Sequence, residues 1–246
     1  MTIIEREEQL ETPSGKMRTL ILSPKQEGKF PALVLYSEIF QITGPILRSA
    51  KIMAGFGFIV AIPEVYHENL EAGTVLAYDD AGKEVGNDLK IKTEMRSYDE
   101  GLDTIIKYLQ KQANCSGKFG SIGFCLGGHL AFRAALHPKV SAISSFYGTD
   151  IHSSTLGPEQ ACDTFSRIQD MQSAFLMVWG RQDPHIPEAG RKKIYNELSE
   201  REKSFTWHEF NAVHAFMRDE GERYDPGLAT QGYQLANQFF TTHLKL

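Results

Sequence analysis

Gly123-Phe124-Cys125-Leu126-Gly127-Gly128 is the stretch on which the reading of this chain turns. Apolar runs flank it, residues 119–122 before and 130–136 after. A strand should lead into it and a helix out of it. G-x-C-x-G-G has the form of a nucleophile elbow, with cysteine where serine is usual. At such an elbow the chain turns sharply and the nucleophile backbone is strained. Side chains at the flanking glycines would strike the neighbouring strand and helix. The turn holds the sulfur outside the carboxyl end of the sheet, where α/β proteins bind ligands. It also places the sulfur at a helix N-terminus, whose partial positive charge favours thiolate over thiol. Alone, the hexapeptide would equally suit a cysteine buried as plain core, so the decision falls to the rest of the chain.

Strand-like and helix-like segments alternate on both sides. Residues 2–10 and 16–22 read as a hairpin across Pro13-Ser14-Gly15. Residues 32–36 (A-L-V-L-Y) are continuously apolar, as in a strand covered on both faces. A helix over 45–55 closes at Gly55, and a strand over 56–62 stops at Pro63. Residues 65–87 are polar and glycine-bearing and read as a long loop near the active site, a candidate partial lid. Helical periodicity follows over 88–112. Next come a strand over 118–124, the elbow and a helix to 137. A strand over 140–147 and a loop over 149–170 with a short helix follow. The chain ends with a strand over 174–180, a helix over 187–199, a strand over 204–210 and a helix over 226–243 opened by Pro226. This alternation predicts one α/β domain over residues 1–246. Its central sheet is mostly parallel, of about eight strands, with helices on both faces.

Composition narrows the function classes. The chain has 246 residues, 41% hydrophobic and 23% charged, enough for a sizeable core. Its net charge is −5 and it has no long basic cluster, so a nucleic-acid partner is not expected. No apolar stretch reaches the roughly 20 residues of a membrane helix, and the acidic start is unlike a secretory signal. Three cysteines without a C-x-x-C pair suit a reducing cytoplasm rather than a disulfide framework or a zinc site.

An α/β-hydrolase carries its triad in the chain order nucleophile, acid, base. Asp183 lies in Gly180-Arg181-Gln182-Asp183-Pro184-His185-Ile186-Pro187, just after a strand. His214, in Asn211-Ala212-Val213-His214-Ala215-Phe216, follows the last strand. Cys125 would attack a carbonyl carbon, His214 would move the proton, and Asp183 would hold the other ring N–H. The oxyanion needs backbone donors: the Leu126 N–H, and one from the loop after residues 32–36, near Glu38 and Ile39. Each residue alone has an ordinary structural reading; their type, order and post-strand placement together favour the triad.

With these residues the chain resembles the dienelactone hydrolase family (carboxymethylenebutenolidases) of the α/β-hydrolase superfamily. The matching pieces are Ser37-Glu38-Ile39-Phe40, the elbow, Phe146-Tyr147-Gly148, Gly180-Arg181-Gln182-Asp183 and His214-Ala215-Phe216-Met217-Arg218. The resemblance implies a hydrolase without metal or cofactor that opens enol-lactone rings. It implies Cys125, Asp183 and His214 as the triad and Ile39 and Leu126 as the oxyanion donors. Glu38 would face the thiol and otherwise pair with Arg218, which would also bind the substrate carboxylate. Tyr147 and Phe40 are expected to contact substrate. The family's second carboxylate-binding arginine has no evident match; residues 65–97 offer Lys83, Lys90, Lys92 and Arg96, and lysine is no bidentate substitute.

His67, His129, His152, His185 and His208 read as structural or exposed, and no metal-ligand pair stands out. The expected partner is a small ester or lactone, for a monomer or homodimer with no membrane contact. Two alternatives stand beside this: a cysteine-triad esterase or thioesterase with an unrelated substrate, and a non-hydrolytic α/β module with a regulatory redox thiol.

Overall fold

The computed structural model describes residues 1–160 and 162–244; residues 161, 245 and 246 of the expected 1–246 domain lie outside them. Eight strands form one sheet in the order β1-β2-β4-β3-β5-β6-β7-β8. Strands β1 (Ile3–Thr12) and β2 (Gly15–Pro24) make the opening hairpin. Strand β2 pairs antiparallel with β4 (Ile59–Pro63). The others, β3 (Phe30–Tyr36), β5 (Cys115–Phe124), β6 (Val140–Phe146), β7 (Ala174–Gly180) and β8 (Phe205–Phe210), run parallel from β4 onward. The interior strands β3 and β7 are apolar because both faces are covered; every residue of β7 is buried.

Helices α1 (Gly44–Gly55), α2 (Asp80–Lys92), α3 (Met95–Gln110), α4 (Leu126–Arg133), α5 (Glu188–Glu200) and α6 (Pro226–Leu244) complete the chain. The crossover from β3 through α1 steps one way along the sheet, and the one from β5 through α4 steps the other. Right-handed crossovers therefore place α1 and α4 on opposite faces. Helix α6 packs on α1, and Arg133 of α4 is tied to Asp99 of α3 on the other side. The order reverses between β3 and β5, where a crevice opens at the carboxyl ends of adjacent strands. Register sets Tyr36 beside Gly123 and Phe124 beside Phe146. The chain leaving β3, β5 and β6 therefore converges at one rim.

Three sequence expectations change. Strand β4 begins at Ile59, not at 56, because the Phe56 N–H still bonds Ile52 and Met53 at the end of α1 and Gly57 (φ +90) turns the chain. Residues 80–87, expected as loop, are helical: the Asp79 carboxylate accepts from the Gly82 N–H at 2.8 Å and starts α2. The single helix expected over 88–112 is two helices, because Thr93 and Glu94 are extended (ψ 123 and 143). Residues 149–170 contain two 3-10 turns, at Pro158–Gln160 and Ile168–Asp170.

Candidate active site

Cys125 sits between β5 and α4 at φ 57, ψ −119, a conformation that costs a non-glycine residue about 1–3 kcal/mol. Its surroundings enforce it: the Cys125 N–H donates to Phe146 O at 3.1 Å. A Cβ at Gly123 would lie 1.9 Å from Gly127 O, and one at Gly127 would lie 2.2 Å from Tyr36 O. Only glycine lets α4 press this closely on the ends of β3 and β5. Cys125 is half-buried and opens into a cavity of about 550 Å³.

Asp183 leaves the end of β7 and His214 the end of β8; both are buried. Asp183 Oδ2 accepts from His214 Nδ1 at 2.6 Å, and its Oδ1 accepts from the His185 N–H at 2.8 Å. With Nδ1 engaged, His214 Nε2 is left for the cavity side. Burial works against a charged His214 ring, but the Cys125 sulfur and the Asp183 carboxylate outweigh it and raise the ring to about 10. The ring is therefore protonated at neutral pH.

Glu38 and Ile39 follow β3. Glu38 is 3% exposed, and burial pushes its carboxyl up, against the pull of Arg218 and His214. Its Oε2 is 3.5 Å from Arg218 Nη1, so the carboxylate is turned to the arginine. The Arg218 guanidinium stacks 4.2 Å from the Tyr78 ring centre and 5.9 Å from that of Phe40, and its Nε–H donates to Glu220 O at 3.1 Å. Phe40 lines the cavity. The amides of Ile39 and Leu126 have no acceptor among the described residues.

Tyr147 is a correction. Expected against substrate, it is 1% exposed and does not line the cavity. Its ring meets His214 edge-on at 5.1 Å and Phe216 at 5.3 Å, so it backs the imidazole. Its backbone, at φ 39, turns the chain inward after β6. Among the candidate cations, Lys83 and Lys90 reach the cavity from α2, while Arg96 points away, 75% exposed, and Lys92 pairs with Asp88. Lys90 is bound to Asp150 at 2.9 Å.

Several lining residues escaped the sequence reading. His185, taken as structural or exposed, lines the cavity with its ring 4.7 Å from that of His214. Its place two residues after Asp183 was the available signal. Thr149 and Arg223 also line the cavity, and no local pattern distinguishes them; Tyr78, one of several aromatics the sequence offers for a pocket wall, lines it too. Among the described residues, no group of three His, Cys, Asp or Glu side chains is arranged to hold a metal ion, and no helix is long and apolar enough to cross a membrane.

A Saccharomyces cerevisiae protein provisionally named carboxymethylenebutenolidase is 39% identical over 230 residues, 89% of this chain and 84% of that protein. The carboxymethylenebutenolidase of Pseudomonas putida is 23% identical over 195 residues, 79% of this chain and 78% of that protein. A Klebsiella pneumoniae crystal structure, provisionally named a dienelactone hydrolase, has the same fold (TM-score 0.85, 20% identity), covering 99% of this chain and 100% of that one. The sequence profile of the dienelactone hydrolase family matches residues 17–244, and the chain belongs to that family.

Proposed function

We infer that this hydrolase opens lactone or small carboxylic ester bonds through a thioester on Cys125. The observation that carries this is the Asp183–His214 pair at 2.6 Å, with its ring raised to about 10, against burial, by the Cys125 sulfur it faces and the Asp183 carboxylate behind it. The Cys125 thiolate adds to the carbonyl carbon, and the oxygen takes the charge between the Ile39 and Leu126 N–H groups. Collapse breaks the C–O bond, and His214 Nε2–H protonates the departing oxygen. Water then adds to the thioester and gives its proton to Nε2, and the C–S bond breaks to restore the thiolate. Asp183 keeps the proton on Nδ1 through both halves. Glu38 is a proton store beside this path: while it is bound to Arg218 its charge is neutralised, and an acidic substrate that draws Arg218 away would leave a buried carboxylate avid for a proton.

The test is hydrolysis of cis- and trans-dienelactone, with p-nitrophenyl acetate beside them, by wild type and Cys125→Ala. Lactone turnover lost in Cys125→Ala is the expected result. Acetate cleavage alone, dependent on Cys125, would keep the mechanism and change the substrate. Activity retained by Cys125→Ala would refute the thioester route. A redox-thiol module would instead show fast alkylation of Cys125 and no turnover of either ester.

A further inference from the structure

Below the elbow lie two buried groups that the proposed chemistry does not use, His129 of α4 and Cys162. His129 is fully buried, and burial pushes its ring down to about 4, so it is neutral at physiological pH. Its Nδ1 is 2.8 Å from the carbonyl oxygen of Thr149, which can only accept; the proton therefore sits on Nδ1 and Nε2 is bare. Bare Nε2 needs a donor, and Cys162 Sγ is 3.4 Å away. The sulfur also lies 3.2 Å from Thr164 Oγ1. The Thr164 oxygen can accept the thiol proton in that contact while also accepting from Arg133 Nη1 at 3.0 Å; the bare imidazole nitrogen is the more basic acceptor, so the ring competes well for it.

The Thr149 peptide links this pair to the nucleophile. Three N–H groups converge on the carbonyl oxygen of Cys125: Gly128 at 3.0 Å, His129 at 3.3 Å and Thr149 at 3.2 Å. The first two belong to the first turn of α4, and Thr149 alone comes from outside it. A ring of hydrogen bonds thus closes. The His129 backbone holds Cys125 O, its side chain holds Thr149 O, and the Thr149 N–H returns to Cys125 O. The oxygen so held belongs to the peptide whose other end is the Leu126 N–H. In a trans peptide the C=O and N–H point in opposite directions, and none of the described peptides is cis. Pinning the oxygen inward therefore aims the Leu126 N–H outward, toward the cavity.

We propose that His129 and Cys162 are positioning residues that, through the Thr149 peptide, orient the Cys125–Leu126 peptide plane so that the Leu126 N–H meets the oxyanion. The proposal rests on the hydrolase reading above. Cys162 satisfies the bare Nε2 and anchors the ring, the ring holds Thr149, and Thr149 supplies the one donor to Cys125 O that α4 cannot. Nothing is transferred; all the protons stay where they are.

The experiment compares wild type, Cys162→Ala and Cys162→Ser in two reactions of Cys125. The first is acylation by p-nitrophenyl acetate, read as the burst rate. The second is alkylation by iodoacetamide, followed at Cys125 by mass spectrometry. Displacement at a saturated carbon builds no oxyanion, so it reports the thiol without the Leu126 N–H. In Cys162→Ala, acylation should fall about tenfold, a fraction of the 10²–10³ lost when an oxyanion donor is removed outright. Alkylation and its pH profile should stay within about twofold. Cys162→Ser, which keeps a donor, should recover most of the acylation rate.

If acylation and alkylation fall together, or if Cys162→Ala acylates at the wild-type rate, the positioning role is overturned. Ring ¹⁵N shifts give a readout independent of turnover: the proposal requires His129 neutral with the proton on Nδ1 from pH 5 to 8, and the other tautomer would overturn it. A wild type with no Cys125-dependent turnover of either the acetate or the dienelactones would overturn the hydrolase reading itself and is told apart by that control.

Discussion

Gly86→Ala tests whether α2 sets the position of the Ile39 N–H, the proposed second oxyanion donor. Gly86 faces the loop after β3: a Cβ there would lie 2.7 Å from Ile39 O and 3.0 Å from Ile39 Cβ. The first contact is about 0.7 Å short of the 3.4 Å at which ordinary van der Waals contact begins. A backbone oxygen cannot swing aside like a side-chain tip, so the helix and the loop must part. If they share the shift equally, Ile39 moves by about 0.35 Å; at roughly 10²-fold per ångström of misplacement, that is about fivefold in kcat. Alanine also favours the helix over glycine by about 0.5–1 kcal/mol, so thermal stability should change little. The assay is steady-state p-nitrophenyl acetate hydrolysis, with iodoacetamide alkylation of Cys125 as the control that the thiol is intact. A kcat within the error of wild type in a folded Gly86→Ala protein would show that α2 does not position Ile39.

Asp183→Asn should lower kcat by on the order of 10³-fold, since the amide can settle with its N–H₂ toward Nδ1 and reverse the His214 tautomer; near-normal turnover would remove Asp183 from the mechanism. The His214 ring should keep its proton to about pH 10 in wild type and release it at lower pH in Cys125→Ala, where burial is opposed mainly by Asp183; an unchanged midpoint by ring NMR would show that the sulfur is not its partner. Burial alone would push the Asp150 carboxyl up, but Lys90 and hydrogen bonds from Thr149 and Thr155 hold it at about 2. Because its folded value lies below its unfolded one, Asp150 stabilises the protein above about pH 4 and ceases to as the pH falls toward 2. Asp150→Asn should therefore cost about 2 kcal/mol at pH 7 in urea denaturation and almost nothing near pH 2; a pH-independent cost would refute the ionic account.

By itself the sequence determined the parts governed by local chemistry. Strands covered on both faces are predominantly apolar, so β3, β7 and the apolar cores of β5 and β6 stood out from their flanks. The elbow was legible because its backbone admits only glycine at the points of closest approach, and Asp183 and His214 were legible because they follow recognisable strands. What the sequence misrepresented was set by contacts distant along the chain. Residues 80–87 looked like loop because Gly82 and Gly86 weaken a helix considered alone, yet Gly86 is what lets α2 lie against Ile39. Tyr147 sits at the correct strand end for a substrate contact, but a positive φ turns it inward behind His214. His185 and Thr149 join the cavity, and His129 joins Cys162 beneath it, only once β5, β6 and β7 lie side by side. Local pattern states which backbone a segment can adopt; which side chains share a cavity depends on the packing of segments up to about 180 residues apart, such as Glu38 and Arg218, and that is decided by tertiary structure.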